Sequence, residues 1–306
     1  MTPLKRLSYA LAAAGLAVIA AVATSGTASA ATTMPATRVL SGVHLQNFNV
    51  AQSLAYDPMY KEFVYAQLRQ GYPASAGDLT LTLVDLTGRN RGHMYLSGFG
   101  HGVAISLERQ GKALYVWTET AAKAEPAYPN SIASAFGTRL ARFPWTYNAT
   151  LKPTSAGVVQ YAGGSTVHEV TPGLDAAHNQ IGMHYYSSKT HRWNYIVYKL
   201  SDFRSHKYTT LAWFNEPAET GVSQGWTLYG SRIYRLDQVV GVRATITEMT
   251  LTGAVVATST WPEASTVPDW EPEGITSASG NLCANVAGGP TSTNHTENTW
   301  CQRSLP

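Results

Sequence analysis

Charged residues and cysteines are scarce in this sequence of 306 residues. Only 13% of the residues are Asp, Glu, Lys or Arg, and no basic run is present that could follow a nucleic-acid backbone, so we expect no nucleic-acid partner. The two cysteines, Cys283 and Cys301, cannot hold zinc without further ligands, and no histidine spacing nearby supplies them. We therefore expect no metal site, whereas in an exported protein the pair can form one disulfide.

Long hydrophobic runs are missing except at the N-terminus. Lys5 and Arg6 precede an apolar run that ends near Ala23, which is short for a membrane span, and the small residues Ala28-Ser29-Ala30 follow it. This pattern predicts a signal peptide over residues 1–30, a flexible mature N-terminus over 31–36, and a secreted protein without a transmembrane span. Cleavage leaves 20 of the 22 basic residues against 19 acidic ones, so the mature chain is almost neutral.

Helical periodicity is also missing, and short alternating segments separated by Gly, Asn, Asp and Pro take its place. Five hairpins of similar plan recur along the chain, and further strand candidates lie between them. The hairpins cover 52–68, 101–119, 168–186, 224–236 and 273–286. Four strands per repeat at a spacing of roughly 50 residues are typical of a β-propeller. We predict an all-β fold over 37–286, a five-bladed β-propeller with four-stranded antiparallel blades.

A propeller must close, because its first and last blades otherwise leave open sheet edges. The segment 37–50 has strand character, and we expect it to pair with the last blade as its outermost strand. Residues 287–306 are polar and rich in Gly, Ser and Thr, and they are predicted to form a C-terminal tail outside the propeller. This prediction leaves open whether the fifth blade is complete.

Each of the five hairpins begins with a polar residue. In a propeller the first strand of each blade is the innermost one, so equivalent positions of these strands converge at one end of the central channel. The residues are Gln52, His101, His168 or its neighbour Glu169, Gln224 and Glu273. They indicate either a ligand-binding site at the channel mouth or a channel that is polar because it holds water. No nucleophile is paired with His101, so no catalytic residue is assigned.

Three short matches to catalytic or cofactor motifs lack the context that those motifs need. The sequence GVSQG (221–225) is followed by a strand instead of a helix, HEVTP (168–172) has no second histidine, and GFGHG (98–102) lacks the third glycine of a dinucleotide loop. We expect no cofactor. Gly102, Gly225 and Gly274 are interpreted as positions where strands crowd the channel axis. Several aromatic residues are able to stack on a glycan or to pack between blades: Tyr72, Trp145, Trp193, Trp226 and Trp270.

The stretches MYLSGFGHGV (94–103) and GTRLARF (137–143), with the hairpins at 52–68 and 224–236, resemble the TagC-like β-propeller family. That family groups teichoic acid biosynthesis protein C-like proteins with the propeller of a staphylococcal phage receptor-binding protein. The resemblance covers residues 38–286. It implies a five-bladed propeller associated with cell-wall glycopolymers and carries over no catalytic residue.

Composition, fold and resemblance together suggest three functions. The first is a secreted, cell-wall-associated propeller that binds a cell-wall glycopolymer or polysaccharide such as teichoic acid. The second is an enzyme, a hydrolase, lyase or transferase, that acts on such a polymer through His101, His168, Glu169 or Glu273. The third is a protein-interaction scaffold.

Overall fold

The structure, a computed structural model, describes residues 32–33, 36–124, 133–217, 222–238, 244–261, 266–267, 271–289 and 294–302. The predicted signal peptide, residues 1–30, lies outside the described residues, so cleavage and secretion stay predictions. In the described ranges, no helix has the length and apolar character needed to cross a membrane.

Short strands rich in β-branched and aromatic residues make up most of the described chain. The strands are β1 (Thr32–Thr33), β2 (Ala36–Val43), β3 (Ala51–Asp57), β4 (Glu62–Leu68), β5 (Leu79–Asp85), β6 (Asn90–Leu96), β7 (Ser106–Gln110), β8 (Ala113–Thr120), β9 (Lys123–Ala124), β10 (Ala135–Phe136), β11 (Arg139–Pro144), β12 (Thr150–Leu151), β13 (Val159–Gly163), β14 (Val167–Asp175), β15 (Gln180–Ser187), β16 (Arg192–Lys199), β17 (Thr210–Asn215), β18 (Val222–Tyr229), β19 (Arg232–Gln238), β20 (Ala244–Thr250), β21 (Val255–Trp261), β22 (Glu271–Ala278), β23 (Asn281–Gly288) and β24 (Thr296–Gln302). A 3₁₀ turn (Ala74–Ala76) follows β4, and one short helix, α1 (Leu200–Arg204), follows β16.

The strands form five blades, and the predicted five-bladed propeller with four-stranded antiparallel blades is confirmed. From the innermost strand outward, blade 1 is β3-β4-β5-β6, blade 2 is β7-β8-β11-β13, blade 3 is β14-β15-β16-β17, blade 4 is β18-β19-β20-β21 and blade 5 is β22-β23-β24-β2. The five innermost strands contact one another in a closed ring, β3 to β7, β14, β18, β22 and back to β3. They therefore surround one central axis.

Blade 5 is complete, because β24 fills its third position and β2 its fourth. The expectation that the N-terminal segment supplies the outermost strand is confirmed by the antiparallel pairing of β2 with β24. The prediction that 287–306 is a tail outside the propeller is wrong, since Thr296–Gln302 lies between two strands of the blade. Part of the segment expected to be flexible is also ordered, because Thr32–Thr33 pairs in parallel with β21.

The polar sequence of β24 forms a strand because its polar side chains are satisfied inside the propeller. The buried carboxylate of Glu297 accepts the backbone N–H of Ala51 at 3.0 Å and the side-chain amide of Asn285. Cys301 lies directly opposite Cys283 on β23 and is bonded to it, so the disulfide that the sequence allowed is present. Hydrogen bonds and a covalent link thus take the place of the apolar pattern that usually reveals a strand.

Five hydrophobic clusters hold the described blades together, one at each junction between neighbouring blades. Trp117 of blade 2 packs against Leu174 and Phe203 of blade 3, and Trp261 of blade 4 lies edge-on to Trp300 of blade 5 at 5.7 Å. Burying such aromatic side chains contributes a large part of a fold's apolar stabilisation. The innermost strands therefore do not need apolar side chains on the channel side, which leaves those positions open to function.

Candidate functional site

A β-bulge occurs near the start of four of the five innermost strands. In each one, the pairing with the second strand of the blade shifts by one residue. The shifts leave one extra residue at Gln52 in β3, at Glu169–Val170 in β14, at Gln224 in β18 and at Glu273–Gly274 in β22. A bulge bends the strand and re-aims its side chain. Four polar side chains are thereby turned toward one end of the axis.

In blade 2, the equivalent stretch is not a strand. The prediction that the first strand of this hairpin begins at His101 is wrong, because β7 begins at Ser106 and residues 101–105 form an irregular loop. The three glycines in this stretch, Gly98, Gly100 and Gly102, all have positive φ angles, which explains why regular strand geometry is interrupted here.

These side chains line one cavity of about 360 Å³ at the channel end, which we call the axial cavity. Its lining combines the polar residues with aromatic and small ones: Gln52, His101, Val103, Phe136, Glu169, Thr171, His184, Trp193, Val222, Ser223, Gln224, Gly225, Trp226 and Glu273. Five of the six residues selected from the sequence are thus brought together. His168 is not among the lining residues, since the bulge presents its neighbour Glu169, whose φ is +50°, instead.

The blade 2 wall of the axial cavity is built from His101 and Phe136, whose rings stack at 4.9 Å. The loop that carries His101 is held by the buried carboxylate of Glu119, which accepts the backbone N–H of Gly102 at 2.5 Å and that of Gly137. Burial lowers the pKa of His101 to about 4, so its ring is neutral at physiological pH. Its buried Nδ1 has no hydrogen-bond partner among the described residues.

The blade 3 wall is an aromatic stack centred on His184. This ring lies parallel to Trp193 at 4.8 Å and to Tyr195 at 4.3 Å, and Trp226 of blade 4 meets it edge-on at 6.2 Å. Trp193 remains partly exposed on the cavity side, whereas Trp226 is buried and donates its indole N–H to Thr171 at 2.9 Å. The wall therefore presents a flat aromatic surface with fixed orientation.

A buried ionic network supports the blade 3 wall from behind. Glu216 lies with Oε2 3.2 Å from His184 Nε2, while its Oε1 accepts from Tyr195 at 3.0 Å and from Arg235 at 2.8 Å. Arg235 also donates to Asp237 on its own strand. Burial acts to raise the pKa of Glu216, but the neighbouring His184 and Arg235 outweigh it and hold that pKa at about 2. A permanently ionised Glu216 thus fixes the tilt of the His184 ring.

The charge inside the axial cavity is acidic. Glu169 and Glu273 are its two carboxyl side chains, and neither Lys nor Arg occurs among the described residues that line it. Burial, together with the charges of Glu271 and Glu297, raises the pKa of Glu273 well above its usual range. The part of the chain that the structure describes holds no group of three or more His, Cys, Asp or Glu side chains placed to bind a metal ion.

Two glycines are required where the inner strands meet. A Cβ atom on Gly274 would lie 2.6 Å from Ser53 Cα of blade 1, and one on Gly225 would lie 3.1 Å from the Cα of Gly274. Both interpretations as sites of axial crowding are confirmed. A Cβ atom on Gly102 would instead lie 3.1 Å from the side chain of Leu79, so this glycine is crowded by a side chain and not by an inner strand.

His184 and Phe136 are cavity residues that the hairpin pattern did not reveal. His184 lies on the second strand of blade 3 and Phe136 in a two-residue strand beside the blade 2 sheet, so neither opens a hairpin. The sequence contains one weak indication of His184. In the β15–β16 hairpin it is a diagonal neighbour of Trp193, an aromatic residue already selected from the sequence. The aromatic surface, the amide groups and the carboxyl groups together suit a polyhydroxylated ligand that offers both apolar faces and hydrogen-bonding groups.

Comparison of the fold with solved structures finds proteins of similar fold and low sequence identity. A tail fibre of Staphylococcus aureus phage P68 is similar at a TM-score of 0.69 and 18% identity, over 89% of this chain and 53% of the fibre. An exo-β-1,3-galactanase from Phanerochaete chrysosporium, solved with β-1,3-galactotriose, is similar at a TM-score of 0.50 and 8% identity, over 86% of this chain and 64% of the enzyme. The chain thus spans about half the length of the fibre and less than two thirds of the enzyme. No protein-family model and no curated protein sequence matches it.

Proposed function

We propose that this protein is a secreted, cell-wall-associated β-propeller that binds a cell-wall glycopolymer such as teichoic acid, with one glycosyl unit entering the axial cavity. The observation that carries the proposal is the composition of the cavity wall. Four bulged inner strands direct amide and carboxyl groups at a space beside the ring of Trp193, which stacks on the buried ring of His184. Sugars combine apolar ring faces with rims of hydroxyl groups, and this lining offers a partner for each.

The charge of the axial cavity selects the part of the polymer that enters it. A phosphate group would meet the carboxyl group of Glu169 without a basic residue to offset it, and Glu273, whose raised pKa favours its neutral form, adds no attraction for an anion. A neutral sugar meets no such penalty, and its hydroxyl groups donate to carboxylate and amide oxygens. The ligand unit in the cavity is therefore a neutral glycosyl residue.

The fold comparisons support this proposal. The galactanase with a similar fold was solved with an oligosaccharide, and the phage tail fibre shares the same architecture over 89% of this chain. The resemblance to the TagC-like family, carried by the stretches at 94–103 and 137–143, adds the association with cell-wall polymers. We propose membership of that family on these grounds.

The test is retention of the purified protein on insoluble cell walls and on teichoic acid extracted from them. Trp193→Ala removes an aromatic face from the axial cavity and is expected to weaken binding roughly five- to tenfold. Trp213→Ala is the matched control, because Trp213 lies on the outermost strand of the same blade and is 56% exposed. Equal binding by both variants, or no retention of the unaltered protein, would refute the proposal.

A hydrolase that cleaves the same polymer is the second candidate, and the raised pKa of Glu273 favours it. A carboxyl group with a raised pKa keeps its proton to a higher pH than an ordinary one, which suits a general acid, and Glu169 in the same cavity supplies a second carboxyl group. The assay is release of reducing ends or phosphate from wall polymer. Hydrolysis that disappears in Glu273→Gln while binding persists would identify an enzyme; polymer that is bound and stays intact identifies a binding protein.

A further inference from the structure

A second concave site lies beside the axial cavity on blade 1. It is a groove of about 310 Å³ between the segment that precedes β3 and the segment that follows β4, lined by Phe48, Asn49, Arg69, Gln70 and Tyr72 among others. We call it the Arg69 groove. Because β3 begins and β4 ends at the same edge of the antiparallel pair, the groove opens at the end of the propeller that carries the axial cavity.

The two sites are close enough for one polymer to occupy both. Asn49 lines the Arg69 groove and Gln52 lines the axial cavity, and only two residues lie between them in the chain. Even a fully extended chain keeps their Cα atoms within about 11 Å of each other. That distance is comparable to the length of one or two sugar units, so adjacent units of a polymer reach both sites.

The guanidinium group of Arg69 lies over two aromatic rings. Its central carbon lies 4.5 Å from the ring centroid of Tyr72 and 4.1 Å from that of Tyr95. No hydrogen bond or ion pair of this side chain occurs among the described residues. Arg109 and Arg142 also lie over tyrosine rings, but each of them is bonded to a buried carboxylate. Arg69 thus has the aromatic support without the anion.

The backbone around Arg69 is fixed before any ligand binds. The N–H of Arg69 donates to the carbonyl of Asp78 at 2.8 Å, and the side-chain amide of Asn49 donates to the carbonyl of Leu68 at 2.6 Å. Gln67 ties the same segment from the other side through the carbonyl of Asn49. Ordering these groups therefore costs little free energy on binding.

We propose that the Arg69 groove is a second subsite that binds an acidic group, a phosphate or a carboxylate, of the polymer whose glycosyl unit occupies the axial cavity. The rings of Tyr72 and Tyr95 contact the guanidinium group of Arg69, and its N–H groups, which lie in the guanidinium plane, are able to form a bidentate pair with an oxyanion. This inference rests on the proposed function and divides the ligand between two sites. The acidic cavity takes the neutral sugar, and the basic groove takes the anion.

The side chains beside Arg69 fit a sugar phosphate or a sugar acid. Phe48 and Tyr72 are each 49% exposed, so they offer apolar faces next to the guanidinium group. Asn49 and Gln70 add amide groups at the same groove. A free anion needs only the charge, whereas these neighbours also contact the sugar that carries it.

The test compares Arg69→Gln with Arg89→Gln. Arg89 is an exposed arginine on the turn between β5 and β6, at the opposite end of the same blade, so its loss changes the net charge equally. Affinity is measured by isothermal titration for three probes: teichoic acid, which carries phosphate; polygalacturonate, which carries carboxylate; and a neutral β-glucan. Unfolding temperatures of both variants confirm that the fold is retained.

We expect Arg69→Gln to bind the acidic polymer roughly tenfold or more weakly, with a smaller dependence on salt, and Arg89→Gln to stay within about twofold of the unaltered protein. If Arg69→Gln loses affinity for teichoic acid alone, the group bound at the groove is phosphate. If it also loses affinity for polygalacturonate, the groove binds carboxylate as well. Arg69→Gln binding both acidic polymers as Arg89→Gln does would overturn the second subsite. If Trp193→Ala still weakens binding in that case, the proposed function stands; if Arg69→Gln alone weakens it, the axial cavity is not the sugar site.

Discussion

The carboxylate of Glu119 accepts the backbone N–H of Gly102 at 2.5 Å, and through this bond the second strand of blade 2 holds the loop that carries His101. The same carboxylate accepts the N–H groups of Gly137 and His101. Burial nevertheless raises the pKa of Glu119 to about 7, because the three hydrogen bonds only partly offset the loss of hydration. One wall of the axial cavity thus depends on a carboxyl group that titrates near neutral pH.

Glu119 makes the stability of the protein depend on pH between about 4.5 and 7. Folding raises the pKa of Glu119 from an ordinary 4.5 to about 7. Its contribution to the free energy of unfolding is therefore complete below pH 4.5 and is lost as the pH rises through about 7. Glu119→Gln does not titrate. We expect the free energy of unfolding of the unaltered protein, minus that of Glu119→Gln, to fall by about 3 kcal/mol between pH 4.5 and pH 8.

Urea unfolding at a series of pH values measures this difference. Glu297, whose pKa burial also raises to about 7, is present in both proteins and cancels from the comparison. A difference that stays constant from pH 4.5 to pH 8 would show that Glu119 does not change its charge in this range.

Axial crowding at Gly274 is expected to make it far less tolerant of alanine than a glycine of similar backbone conformation. Gly274 has a φ of +81° and would place a Cβ 2.6 Å from Ser53 Cα, whereas Gly71 has a φ of +83° and no atom within 4 Å of its Cβ position. Gly71→Ala adds only backbone strain, about 1 kcal/mol. Gly274→Ala adds the clash between blades 5 and 1 and is expected to cost at least about 3 kcal/mol more in thermal or urea unfolding. Equal losses would remove the crowding argument.

Much of the architecture follows from sequence patterns that have a direct physical cause. Alternation and glycine-rich turns define the hairpins, and the rule that the first strand of each blade is innermost brings Gln52, Glu169, Gln224 and Glu273 to one cavity. The polar channel residues can be recognised because inner strands have no apolar partner on the axis side.

What the sequence pattern missed depends on tertiary contacts. The strand Thr296–Gln302 looks like a tail because the partners of Glu297 lie on other strands, more than ten residues away along the chain. His184 reaches the axial cavity from the second strand of its blade, and Arg69 gains its second aromatic contact only when folding brings Tyr95 of another strand beside it. None of these associations has a fixed spacing in the chain.

The disulfide between Cys283 and Cys301 is expected to stabilise closure of the propeller. It joins β23 to β24, the strand on which the N-terminal β2 pairs, and closes a loop of 18 residues. Restricting an unfolded loop of this size contributes about 3 kcal/mol. The unaltered protein should therefore unfold at a lower guanidinium concentration when reduced, and a Cys283→Ala/Cys301→Ala variant should be insensitive to the reductant. Identical midpoints for the oxidised and reduced forms would contradict this role.

Glu216 is expected to give a pH dependence of the opposite sign to that of Glu119. The neighbouring His184 and Arg235 overcome the effect of burial and lower the pKa of Glu216 from 4.5 to about 2. Its contribution to stability is therefore complete above pH 4.5 and is lost as the pH falls through about 2. We expect the free energy of unfolding of the unaltered protein, minus that of Glu216→Gln, to fall by about 3 kcal/mol as the pH is lowered from 5.5 toward 2.

Ligand binding supplies a second readout for Glu216. Glu216→Gln retains the size of the side chain but removes the charge that orients His184, so affinity for wall polymer should fall severalfold at pH 7, where folding is still complete. Asp237 continues to pair with Arg235 in this variant, which limits the damage to the fold. A stability difference that is the same at pH 3 and pH 6 would show that Glu216 is not held ionised by its two basic neighbours, and the wall behind Trp193 would then owe its orientation to ring stacking alone.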